Sequence, residues 1–314
     1  MIKIRNRFFC FIPLVVIFLL GCGEVFALTP VSAGPEEILS YPVANWRDRR
    51  FEVFRWDRFP EIIIFDTASF DVQNRLFKRL AFFVEKAGFR GRLAHDAEIA
   101  ALHGWNAHDY KAEDLANFFE TARRSNFPLL AEERELQAIL LTTGVLSRNA
   151  ALQVIPGRGA VLSISRASDA NLRSRFMVHE GFHGLYFIDE GFRNFTSQRW
   201  DAFPDMGKSF LLAYFHLQGY DITDMDLVLK EFKAHVLQLP VSQASWYFGQ
   251  HLPNRLLTEN SALYGPFLPV REEIRDGRRF WPDLARTFTA EAEVFQRYVN
   301  ERWGFAAGRV WRSR

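Results

Sequence analysis

The 314-residue chain has only two cysteines, Cys10 and Cys22, and none after that. An internal disulfide beyond that point is excluded, so a folded domain must rest on its apolar core alone. A charge excess is missing as well. The 39 lysines and arginines nearly balance the 37 acidic residues, and no basic cluster speaks for a nucleic-acid partner. There is no internal repeat and no low-complexity block. No apolar run is long enough to span a bilayer comfortably. Apolar residues themselves are plentiful, at 48% with 32 phenylalanines, which suffices for a core in about 290 residues.

The N-terminus pairs a basic start, Lys3, Arg5 and Arg7, with thirteen almost wholly apolar residues from Phe8 to Leu20. These are the proportions of a secretory signal. The run ends in Leu19-Leu20-Gly21-Cys22, which resembles the lipobox of bacterial lipoproteins. That resemblance implies a signal peptide over 1–21 and a lipid on Cys22. It places the protein in the cell envelope, anchored to a membrane and facing the periplasm or the cell surface. Cleavage further on, after Ala27, and an uncleaved anchor are the competing readings. Removing the signal takes three positive charges from a formal +2 and leaves −1. Residues 22–45, with Pro30, Gly34, Pro35 and Pro42, read as a tether, or else as an arm packed on the domain.

The sharpest motif is His179-Glu180-Gly181-Phe182-His183, an H-E-x-x-H. On a helix, residues four apart stand one above the other, so both imidazoles can face one metal ion. Glu180 lies about 100° round from His179, within reach of a water at that ion. The context suits it. Residues 159–165 alternate small or polar with apolar residues, as a strand with one buried face does. Ser168 or Asp169 can cap the helix that follows, whose inward stripe is Leu172, Phe176, His179, His183 and Phe187. Two hydrogen-bonded core histidines are the plainer alternative. Downstream, residues 224–239 read as an amphipathic helix ended by Pro240, with Glu231 in its apolar middle. A carboxylate there is costly to bury unless a cation holds it. Lys230 and Lys233 offer the other reading, an ordinary salt-bridged Glu231.

His179, Glu180 and His183, with Glu231 on a second helix, resemble the zinc metallopeptidases of the gluzincin type. The resemblance covers about residues 155–240, and its sharp part is the H-E-x-x-H. It implies a zincin-like catalytic domain, a Zn2+ ion held by His179, His183 and Glu231, and Glu180 as general base. The implied activity is hydrolysis of a peptide or protein substrate. It also implies that the strand before the metal helix, residues 160–166, holds an extended substrate. The chain departs from the family pattern at His235, where an Asp often follows the ligand Glu by one turn. His235 is thus open to three roles: substrate donor, orienting partner, or rival ligand to Glu231. His235, Tyr247, His251 and Tyr264 are the candidate donors to a developing oxyanion. A non-catalytic envelope lipoprotein and a zinc hydrolase of cell-wall peptides are the rival functions.

The whole is expected to be α+β and predominantly helical: an N-terminal α/β subdomain over 46–150 and the metal-binding domain over 151–314. Glu61 to Phe65 reads as a buried strand, and Asp71 can cap a helix to Lys86. Helices are also expected near 95–103, 112–125, 131–145 and 282–302. Residues 103–110, dense in polar and aromatic groups, either line a cleft or form a capping turn.

Overall fold

The computed structural model describes residues 28–312. The expected signal peptide and Cys22 lie outside them. Among the described residues, no helix is long and apolar enough to cross a membrane.

In chain order, strand β1 (Val31–Ala33), helix α1 (Pro35–Ser40), β2 (Phe51–Trp56), β3 (Ile62–Thr67) and α2 (Phe70–Glu85) come first. A short helix α3 (Asp96–Ile99), β4 (His108–Lys111), α4 (Ala112–Arg124) and α5 (Ala131–Thr143) follow. A small hairpin, β5 (Leu146–Arg148) and β6 (Val154–Pro156), leads to β7 (Ala160–Ser165) and the long α6 (Ala170–Ile188). The rest is helical: α7 (Glu190–Ala202), α8 (Asp205–Leu217), α9 (Met225–Leu237), α10 (Val241–Trp246) and α11 (Leu252–Tyr264). A second hairpin, β8 (Glu273–Arg275) with β9 (Arg278–Phe280), precedes α12 (Pro282–Trp303). The architecture is α+β and mainly helical.

Five strands form a mixed sheet in the order β1-β2-β3-β7-β4. β3 and β7 run parallel, with Ile64 opposite Leu162, whereas β4 is antiparallel to β7. Both faces are covered. Ile62, Ile64, Leu162 and Ile164 point to the helices of the C-terminal half; Ile63, Phe65 and Val161 point to α2, α4 and α5. This is why Ile62–Phe65 is an unbroken apolar run, since alternate residues feed two cores.

Several expectations change here. The boundary at residue 150 cuts through the sheet, because β7 lies beyond it and pairs with β3 and β4 from before it. All six residues of β7 are buried, rather than one face only. Ser163 is satisfied inside by the Gln73 amide at 2.8 Å, so its polarity does not mark an exposed face. Residues 28–45 are a packed arm and not a tether: β1 pairs with β2, Ile38 is fully buried, and Arg173 donates to the Leu39 carbonyl at 2.8 Å. α2 is capped by Ser69, whose side chain accepts from the Val72 N–H, two residues ahead of the expected Asp71. The cap of α6 is Asp169, one of the two candidates.

Candidate metal centre

α6 carries the motif into the interior because everything around its middle is protein. Against the sheet, a Cβ on Gly184 would stand 2.9 Å from Ile62 and 3.3 Å from Leu162, so glycine lets the helix lie close. On the other side α9 packs, capped by Asp224, which accepts from the Asp226 N–H. Between the two helices His179, Glu180, His183, Glu231 and His235 are all buried.

Their distances define one cluster. His179 Nε2 is 3.4 Å from Glu231 Oε2, and His183 Nε2 is 3.5 Å from Glu231 Oε1. His235, one turn along α9, has its Nε2 3.7 Å from Glu231 Oε2. Donor atoms within 4.8 Å of one another fall into two groups: His179, Glu231 and His235 in one, Asp109, Glu180 and His183 in the other. The expected trio is therefore split, and His183 joins Glu231 only through its Nε2. The separations bear on what fits between them. Ligands about 2.0–2.2 Å from one tetrahedral ion stand roughly 3.3–3.6 Å apart, wider than an ordinary hydrogen bond. The contacts of His179 and His183 to Glu231 have that wider spacing. Buried atoms without a hydrogen bond include His183 Nε2, Glu231 Oε2 and Glu180 Oε2. Such atoms are costly unless something not present in the protein itself satisfies them. This donor set fits a divalent cation.

Neither lysine beside Glu231 is spent on it. Lys230 holds Asp109 at 2.8 Å and Glu85 at 2.9 Å, and is 4.0 Å from Glu231. Lys233 lies 2.8 Å from His183 Nδ1 and donates to the Lys230 carbonyl. Burial pushes Lys233 down to about 7, against the pull of Asp109 and Glu231. Burial likewise lowers His183, and takes His235 down to about 3, so both imidazoles are neutral. Burial, then the nearby Asp109 and Glu231 charges, push Glu180 well above the carboxylate range. A divalent cation among these donors works in the opposite direction. Glu231 differs: burial is outweighed by His179, Lys230 and His235, which hold its carboxyl below the usual range.

A cavity of about 350 Å³ opens onto the cluster, lined by His179, Glu180, His235, Tyr247 and His251 among others. His103, Trp105, Asn106, Ala107 and Asp109 form another wall, so this segment faces a cleft. Tyr264 is elsewhere, its hydroxyl 3.1 Å from His216 Nδ1, and drops out as an oxyanion donor. β7 is also placed where it cannot take an added strand, since β3 and β4 occupy both its edges. The sheet edge beside the site is β4.

Three contributors had no motif behind them. Gln238, just past α9, bridges His179 and His235; its only signal was an amide three residues beyond His235 on a helix of apolar residues. Asp109 reads locally as a turn residue. Arg175 stands one turn before His179, on the same side of α6.

Comparison of the chain with protein-family models, with curated proteins and with solved structures found no match.

Proposed function

We propose that the chain is a zinc-dependent peptidase with a zincin-like catalytic centre. The observation that carries this reading is the convergence of His179, His183 and Glu231 at metal-ligand spacing, with Glu180 lining a cavity beside His179. His179, His183 and Glu231 would hold the ion. Zinc bound there supplies Lewis acidity to a water and to the scissile carbonyl. Glu180 takes the proton of the attacking water and passes it to the leaving amine, so the amide C–N bond breaks as the new C–O bond forms. The Tyr247 hydroxyl and the His235 N–H, both on the cavity wall, would be the side-chain donors to a carbonyl oxygen held there. The lipobox-like segment at Cys22 places the enzyme in the envelope on a lipid anchor.

The rival is a binding module on the same scaffold. A binding module has no use for a buried, unpaired base, and that favours the enzyme. The test compares zinc content and hydrolysis of peptide and cell-wall fragment libraries. About one equivalent of zinc is expected, abolished by His179→Ala or His183→Ala. Glu231→Gln is expected to weaken zinc at least about tenfold, and His235→Ala much less. Glu180→Gln should keep the zinc and lose a factor of about 10²–10⁴ in rate. Full zinc occupancy in a double His179/His183 variant, or an equally active Glu180→Gln enzyme, would overturn the proposal.

A further inference from the structure

Two arginines line the same cavity, Arg175 from α6 and Arg255 from α11. Among the described residues neither is in an ion pair. Arg175 is half-buried and its Nε, shut off from solvent, has no hydrogen-bond partner. Among the described residues, Arg255 donates to the Tyr214 hydroxyl, at 3.3 Å. The cavity's acidic residues do not neutralise them. Glu85 and Asp109 are taken by Lys230, and Glu180 is the proposed base. A guanidinium that lines a cavity without a carboxylate is a site in want of an anion, and its planar fork matches a carboxylate in particular.

Their position sets the reach. Arg175 is one helical turn from His179, roughly 6 Å along the axis. Arg255 is separated from His235 by one ring, since Tyr214 packs edge-on against His235 with centroids 5.4 Å apart. Their charges also bear on His251, whose pKa is lowered by burial first and then by both arginines. One residue of extended peptide spans about 3.3–3.6 Å. A carboxylate held by this pair is thus one or two residues from a carbonyl at the metal cluster. A cavity of about 350 Å³ is of the size that encloses a small ligand.

Resting on the peptidase reading, we infer that the substrate carries a carboxylate one or two residues past the scissile bond, bound by Arg175 and Arg255. The source the geometry favours is the free C-terminus, so the enzyme trims short pieces from peptide ends. The experiment uses the zinc-loaded protein and three acetylated peptides of one sequence: the free acid, the C-terminal amide, and an amide with an aspartate at the last position. The free acid is expected to have a kcat/KM at least about tenfold above the plain amide. Arg255→Gln and Arg175→Gln should each raise KM for the acid and reduce the preference for the acid over the plain amide. Binding of the acid and the amide is also measured by calorimetry on metal-free protein, where no turnover occurs, with the same preference expected. Should the aspartyl amide match the acid, the carboxylate site stands with a side chain as its source. Equal binding and cleavage of acid and plain amide would overturn the inference and leave the peptidase reading intact. Acid-selective binding without hydrolysis of any peptide would sink the peptidase reading and keep the site.

Discussion

The Gln238 side chain lies between His179 and His235, with its Oε1 3.2 Å from His179 Nδ1 and its Nε2 3.0 Å from His235 Nδ1. One amide therefore gives the two imidazoles opposite tautomers. An amide oxygen only accepts, so His179 carries its proton on Nδ1 and offers a bare Nε2 to a cation. An amide NH2 only donates, so His235 accepts on Nδ1 and keeps its proton on Nε2. That proton points towards the cluster, where Glu231 Oε2 is 3.7 Å away. His179 is thereby fitted as ligand and His235 as donor.

The first prediction separates the two arms of that amide. Gln238→Ala should weaken zinc binding about 10–100-fold. Gln238→Glu accepts from both imidazoles, so it should retain the zinc while His235 loses its inward proton and turnover falls. A chelator-competition titration reads the first effect and steady-state rates the second. Unchanged zinc affinity in Gln238→Ala would remove Gln238 from the site.

The second prediction concerns acid stability. His108 on β4 is buried, packed on Phe77 with ring centroids 5.4 Å apart, and burial drives its pKa down to about 3 from 6.5. Below pH 6.5 the unfolded chain takes up this proton and the native one does not. Its contribution to stability is whole above pH 6.5 and is lost progressively as pH falls towards 3, an effect on the order of a few kcal/mol. Urea midpoints measured across that range should fall steeply for wild type and less steeply for His108→Phe. Parallel curves for the two proteins would show that His108 does not control the acid limb.

The third prediction tests the start of β7. Gly159 has φ +109°, and a Cβ there would stand 1.9 Å from the Glu61 carbonyl oxygen. Gly159→Ala should cost roughly 2–4 kcal/mol in denaturant unfolding, since both the backbone and the β3–β7 junction must shift. A loss below about 0.5 kcal/mol would mean that this junction is loose in solution.

Sequence by itself determined the parts that depend on neighbours a few positions away. The i,i+4 spacing of His179 and His183, the helix start at Ser168 or Asp169, and the strand runs at 61–65 and 159–165 are local geometry. A helix or strand repeats over a few residues, so a pattern of that length reports it. Tertiary structure decided the rest. Ser163 and Ser165 suggest one exposed face of β7, yet the strand is buried on both, because α6 packs on one face and α2, which brings Gln73 to Ser163, on the other. The Pro-rich arm packs through Arg173, which donates to Leu39, a contact no local pattern announces. Lys230 looks like a partner for its neighbour Glu231, but it turns to Glu85 and Asp109. Whether a buried charge pairs with the next residue or with one 145 positions away depends on which groups the fold leaves without water, and only the packed chain settles that.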